Sequence, residues 1–265
     1  MQEHETSFRR IFRAFKDAQL VSPRGQLIKE LENFSYTLPP FVRFQSFECR
    51  KFNLSYVKNE MMWYLKGERF DTSITQHAKL WQSIINEDGS INSNYGQYIF
   101  HGDDNQFDNV VKTLSLDKDS RRASIMILNS SHLLSDTKDV PCTYSLNFRI
   151  RNNRLNMSVH MRSQDAIFGM GNDAPAFSFI HEMLLNALRE TYPELQYGSY
   201  FHVADSFHVY ERHFQMLDQI CNGSTYQFIN CPEISGCDEV RFLRSFWKYN
   251  QIPEKFNFTK WLVNV

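Results

Sequence analysis

The sequence predicts an α+β fold, and three observations predict it. Residues 143–162 alternate apolar and polar side chains with period two, as paired strands with one buried face do. The stretches 53–66 and 175–188 instead repeat apolar residues at helical spacing. Finally, 15% of the 265 residues are aromatic, 23 of them Phe, enough to fill a large core and far from a disordered composition. No internal repeat, low-complexity tract or linker interrupts the chain, so a single domain spanning 1–265 is the economical expectation.

Taken in order, residues 5–20 place Phe8, Ile11, Phe12 and Phe15 on one helical stripe. Ser22-Pro23-Arg24-Gly25 reads as a turn, and a strand and loop follow to Pro39-Pro40. Residues 53–66 repeat Leu54, Val57, Met61 and Leu65 at helical spacing, and Gly67 is suited to close that helix. Residues 86–96 form a polar loop ending at Tyr95-Gly96. Asp117 to Arg122 is a charged loop ahead of a short strand, Ile125 to Leu128. The central hairpin sets Tyr144, Leu146, Phe148 and Ile150 on one face, then Leu155, Met157, Val159 and Met161, with Arg151-Asn152-Asn153-Arg154 as its turn. That pairing brings Cys142, at the start of the first strand, beside Arg162-Ser163 at the end of the second.

Pro175 lies just inside a further helix that Asp173 is placed to cap, with Phe177, Ile180, Leu184, Ala187 and Leu188 as its apolar face. Residues 197–205 read as a strand, and 207–221 as a helix closed by Asn222-Gly223. The last 40 residues are mixed and aromatic, ending in Trp261-Leu262-Val263-Asn264-Val265.

The net charge is −1 with no basic run, which argues against a nucleic-acid-coating surface but leaves room for a basic pocket. Cys49, Cys142, Cys221, Cys231 and Cys237 are odd in number and scattered, without zinc-knuckle spacing. Reduced thiols in a cytosol are the expectation, with no structural metal. No apolar run approaches the ~20 residues of a membrane span, and MQEHETSFRR lacks the apolar segment of a signal peptide.

A cysteine on its own is more often packing than chemistry. Cys142 gains weight by following Pro141 at a strand start and facing arginines, since nearby cations lower a thiol pKa. Arg162 beside Ser163 suits a phosphate. Arg121-Arg122, taken alone, is an ordinary solvated pair. Glu60, Asp173, His208 and Tyr210 each have a bland reading, as an exposed helix residue, an N-cap and two helix-start side chains. His101, His132 and His213 show no spacing that singles them out. From the residues alone, the expectation is a cysteine nucleophile beside an anion site.

The segments NEMMWYL (59–65), KLWQS (79–83), INSNYG (91–96), DSRRASIMI (119–127), PCT (141–143), MRSQDAIFGMGND (161–173) and FHVYERHF (207–214) together resemble the thymidylate synthase family, and most closely its deoxycytidylate hydroxymethylase branch. They cover about residues 55–215. The first 50 and last 45 residues match poorly. The resemblance implies a twisted, mostly antiparallel or mixed sheet flanked by helices, and a homodimer formed through that sheet with shared sites. It implies that Cys142 adds to C6 of a pyrimidine, so that C5 takes the one-carbon unit of 5,10-methylenetetrahydrofolate. Glu60 would organise proton transfers and Tyr95 would support Cys142. Arg162, Ser163, Gln164 and Asp165 would line the nucleotide, Arg162 and Ser163 at its 5′-phosphate. Arg121 and Arg122 would reach that phosphate from the partner subunit, and Arg24 is a further candidate. His208 and Tyr210 would bind the 3′-hydroxyl. Trp81, Asp165 and Gly169 would contact the folate.

Asp173 carries the substrate preference. Thymidylate synthases have asparagine here, which pairs with uracil, whereas cytosine presents an amine that donates and an N3 that accepts. A carboxyl accepts from the amine and, when protonated in a dry pocket, donates to N3. Thr143 and Ile84 also depart from synthases in the hydroxymethylase direction. Ala176, where synthases have serine, either leaves space for a 2′-hydroxyl, which would admit CMP beside dCMP, or is plain helix packing. The implied reaction is hydroxymethylation with water capture, in the cytoplasm (of a host, if phage-encoded). Cytidylate methylation with hydride transfer, dUMP methylation and a non-catalytic nucleotide- or RNA-binding role are the alternatives.

Overall fold

The computed structural model describes residues 2–101, 105–134 and 137–264, so Met1 and Val265 of the sequence reading lie outside the described residues. Helix α1 (Gln2–Arg13) buries Phe8, Ile11 and Phe12, and it ends sooner than its apolar stripe suggests. Phe15 is buried from the 3-10 turn Ala14–Asp17 that follows. Strands β1 (Gln19–Val21) and β2 (Ile28–Leu38) flank the turn Pro23–Gly25, where Arg24 adopts φ 53°. Helix α2 (Leu54–Lys66) has the expected bounds. The Asn53 side chain accepts from the Tyr56 N–H, and Gly67 ends the helix at φ 59°, where a Cβ would be strained.

Two short helices follow, α3 (Leu80–Ile84) and α4 (Gly96–Ile99). The loop between them is polar as expected but buried, because Asp139 accepts from both the Ser93 N–H (2.7 Å) and its hydroxyl. Gly96 is required by packing: a Cβ would fall 1.6 Å from the Tyr64 carbonyl oxygen. Helix α5 (Gln106–Leu116) has no counterpart in the sequence reading, and strand β3 (Ser124–Met126) is shorter and earlier than expected.

Strands β4 (Thr143–Arg151) and β5 (Arg154–Asp165) form the expected hairpin. Asn152 and Asn153 take φ 50° and 55°, the two left-handed positions of a tight two-residue turn. A bulge between Thr143 and Ser145 removes Tyr144 from the buried row. Thr143 takes its place, and the Tyr144 hydroxyl donates outward to Asp205.

Helix α6 (Gly169–Leu188) starts four residues before Asp173, so Asp173 is not its N-cap and Pro175 lies within it. Asp165 anchors the preceding turn instead, accepting from the N–H groups of Ile167 (3.0 Å) and Phe168 (3.2 Å). Strand β6 (Gln196–Tyr210) continues through Phe207–Tyr210, which the sequence reading placed in a helix. Pairing with β2 on one side and β5 on the other overrides the local helical pattern. Helices α7 (Phe214–Asn222), α8 (Cys237–Leu243) and α9 (Asn257–Val263) complete the described chain.

The sheet order is β1-β2-β6-β5-β4-β3, with β5 and β6 parallel and the other pairs antiparallel. The crossover between the parallel strands is α6, buried along nearly its whole length. The buried rows switch parity at one level of the sheet. In β5, Leu155, Met157, Val159 and Met161 give way to Gln164, and in β6, Tyr200, His202 and Ala204 give way to Phe207 and Val209. The switch turns Gln164 inward directly after Arg162 and Ser163. No helix among the described residues is long and apolar enough to cross a membrane.

Candidate active site

Pairing of β4 and β5 fixes the first half of the site. The Arg162 N–H donates to the Cys142 carbonyl (2.8 Å), and its guanidinium donates to the carbonyls of Pro141 (3.1 Å) and Val140 (2.8 Å). The same group lies 3.6 Å from the Cys142 sulfur. Arg162 thus holds the segment before the cysteine and faces its thiol, without a carboxylate ion pair among the described residues. The thiol nevertheless sits above its ordinary pKa. Burial pushes it up, Arg162 pulls it down, and Asp173 and Asp139 push it further up. This corrects the expectation of a thiol activated by cations: in the described chain, burial outweighs the one arginine.

The second half comes from α2 and α6. Glu60 is buried on α2, and its Oε1 accepts from the Tyr56 hydroxyl (2.7 Å), while Oε2 has no partner among the described residues. Tyr56 in turn accepts from the Trp81 indole N–H (3.0 Å). Burial raises the Glu60 carboxyl to about 8, with Asp173 adding to the rise. Asp173 keeps part of its surface open, yet its carboxyl lies deep, and burial raises it to about 7. Its Oδ2 accepts from Gln164 Nε2 (3.0 Å). After burial, a charge on Asp173 adds to the raised pKa of Cys142, Glu60 and Tyr95. Tyr95 stacks between Tyr64 (5.4 Å) and Phe177 (6.1 Å), and burial, then Cys142, push its phenol well above the ordinary value.

The remaining candidates divide. Ser163 pairs in register with Ser206, and Asp165 with His208, so the ends of β5 and β6 set Ser163 two positions before the level of His208. His208 Nδ1 lies 3.3 Å from the Ser206 hydroxyl, which itself donates to Glu30. Tyr210 meets the His208 ring edge-on at 4.9 Å, and Arg212 lies over the Tyr210 ring at 4.2 Å. Burial, then Asp165, raise the Tyr210 phenol, and Arg24, at the β1–β2 turn, offsets a small part of that rise. Both carboxylate oxygens of Asp165 are engaged by its own turn. Gly169 opens α6 beside Asp165, where a Cβ would lie 3.4 Å from the Asp165 Cβ, an ordinary contact. Arg121 and Arg122 are exposed ahead of β3 and form no ion pair among the described residues. Ala176 is 1% exposed, within α6.

Three contributors escaped the sequence reading. Tyr56, one helical turn before Glu60, was detectable from spacing. Tyr36, whose hydroxyl donates to Gln164 Oε1 (3.2 Å), comes from β2, and no local pattern marks it. Arg50 is buried and donates to the Ile167 (2.8 Å) and Phe168 (3.4 Å) carbonyls and to Asn172 Oδ1 (3.1 Å), so it braces the turn that presents Asp173. Two surface concavities, of about 480 and 180 Å³, share no residue with this cluster. Converging buried ionisable groups, not hollow volume, single the cluster out.

Comparison with known proteins agrees with the geometry. The family model described as thymidylate synthase matches residues 34–238. The deoxycytidylate 5-hydroxymethyltransferase of Enterobacteria phage T6 is 33% identical over 186 residues, which is 67% of this chain and 76% of the relative. The enzyme of the same name from phage T2 is 32% identical over 70% of this chain and 79% of its own length. The deoxyuridylate hydroxymethyltransferase of Bacillus phage SP01 is 28% identical over 74% of this chain and 54% of its own.

Proposed function

Since the chain belongs to the thymidylate synthase family, we propose that it hydroxymethylates C5 of dCMP, with 5,10-methylenetetrahydrofolate as one-carbon donor and tetrahydrofolate as by-product. The observation that carries this reading is the Asp173 carboxyl. It is deep and raised to about 7, beside a cysteine thiol and a second raised carboxyl. A neutral carboxyl accepts from the cytosine amine and donates to N3, and it is held where asparagine would pair with uracil.

Cys142 sulfur adds to C6, which turns C5 into a nucleophile. Arg162 and Ser163 hold the 5′-phosphate at the mouth where the thiol opens, so the phosphate and the sulfur share one cation. His208 and Tyr210 bind the sugar 3′-hydroxyl. Glu60, protonated near neutral pH, holds and moves a proton at its free Oε2. The half-exposed ring of Trp81, anchored through its N–H, and the 39% exposed ring of Phe168 fit a flat aromatic donor. When bound, the folate supplies a carbon at the oxidation level of formaldehyde. Water reaching that carbon on C5 yields the hydroxymethyl product, and hydride would yield a methyl group.

Arg121 and Arg122 stand exposed ahead of edge strand β3, without an ion pair among the described residues, which supports a homodimer in which they complete the partner's phosphate site. A cytoplasmic setting, a host's if phage-encoded, goes with this reading, and the named relatives are phage proteins.

The test is incubation with dCMP, CMP or dUMP and methylenetetrahydrofolate, followed by mass measurement of each product. A hydroxymethyl adduct on dCMP is expected. Stoichiometric dihydrofolate absorbance would mean methylation instead, and turnover of dUMP alone would mean a uracil-directed enzyme. The dUMP reading is favoured only by the phage SP01 relative's name, at lower identity.

A further inference from the structure

We propose that Gln164 selects the base by fixing which oxygen of Asp173 carries the proton; this deepens the cytosine-directed reading and rests on it. A neutral carboxyl by itself discriminates poorly. With the proton on one oxygen it matches cytosine, accepting at the amine and donating at N3. With the proton on the other it matches uracil, donating to O4 and accepting from N3–H. Something must pin the proton if Asp173 is to choose.

Gln164 is placed to do so. Its Nε2 donates to Asp173 Oδ2 at 3.0 Å, and a carbonyl oxygen accepts such a bond better than the hydroxyl oxygen of a carboxylic acid does. Oδ2 is therefore held as an acceptor, and the proton stays on Oδ1. The amide cannot freely flip, because the Tyr36 hydroxyl donates to Gln164 Oε1 at 3.2 Å. Tyr36 is itself immobilised, stacked on His202 at 4.8 Å with the rings nearly parallel. The Tyr200 hydroxyl lies 2.8 Å from His202 Nδ1 behind it. Gln164 is 2% exposed, and both ends of its amide are engaged, by Asp173 and by Tyr36. It is a positioning residue, acting through Asp173, and the cytosine-selective arrangement has Oδ2 facing the amine.

The test measures kcat/KM for dCMP and for dUMP on the full-length protein, with methylenetetrahydrofolate, in three variants. Gln164→Met keeps the shape and removes the donor, and the dCMP-to-dUMP ratio should fall at least about tenfold. Gln164→Glu places a carboxylate against Oδ2, which draws the proton onto that oxygen and should shift the ratio toward dUMP beyond the Met variant. Tyr36→Phe frees the amide to flip and should lower the ratio by a smaller factor, which keeps the proposal testable if Gln164→Met fails to fold. A purely structural role would lower both kcat/KM values together. An unmoved ratio in the folded variants, with the wild type preferring dCMP, overturns the assignment of Gln164 alone. A wild type preferring dUMP overturns the cytosine reading. Gln164 would still be the selector in that case if Gln164→Glu then moved the ratio toward dCMP.

Discussion

The two halves of the site treat burial in opposite ways. At the thiol end, Cys142 is half-open and burial works against it, because the reactive form is the anion; Arg162 at 3.6 Å recovers only part of that loss. At the carboxyl end, burial works for the site. It keeps Glu60 and Asp173 protonated near neutral pH, the form in which each has a proton to give. One low-dielectric setting thus suits its acids as it stands, while the proposed nucleophile still needs positive charge. That deficit fits a site completed by further arginines, and Arg121 and Arg122 are the unpaired candidates.

The sharpest way to break this contrast is to remove the nucleophile. Cys142→Ala should cut turnover of dCMP on the order of 10⁴-fold or more, measured by product mass, with nucleotide binding retained. Wild-type-like turnover would remove the thiol from the chemistry.

The carboxyl end is sharpened through stability against pH. Asp173 and Glu60 are raised in the folded state, so the native protein holds protons that the unfolded chain has released. The stability they give is full below about 4 and is lost as pH rises toward about 7 and about 8. Asp173→Asn and Glu60→Gln should therefore gain on the wild type as pH rises from 4 to 8. Denaturant unfolding should show a gain on the order of 4 kcal/mol for each variant at pH 8 that vanishes near pH 4. A pH-independent difference would place both carboxyls in a wetter setting than their burial implies.

A smaller effect is expected at the thiol end. Arg162→Met should raise the Cys142 pKa, slowing alkylation by iodoacetamide near pH 8 by about tenfold. An unchanged rate would mean that the guanidinium serves only the Val140 and Pro141 carbonyls.

What could be read in advance follows the range of the interactions. The α2 bounds, the β4–β5 hairpin and the meeting of Cys142 with Arg162 were legible because caps, period-two alternation and a two-residue turn are local signals. Tyr144 fell out of its row because one bulge shifts the alternation, and a bulge leaves no mark in composition. The start of α6 was misplaced because Asp173-Ala174-Pro175 resembles a cap, while the real anchor is Asp165 in a turn braced by Arg50, through contacts 117 to 122 residues apart. Phe207–Tyr210 became strand because two neighbouring strands pair with it.

The sequence by itself determined the kinds of groups present: a thiol, an acid in an asparagine's place, a second acid on a helix, and arginines. Tertiary structure alone decided their states. A pKa and a proton's position depend on burial and on the partners that meet across the sheet, such as Tyr36 of β2, Gln164 of β5 and Asp173 of α6. Those partners are 9 to 128 residues apart along the chain, so no local pattern could announce the relay that joins them.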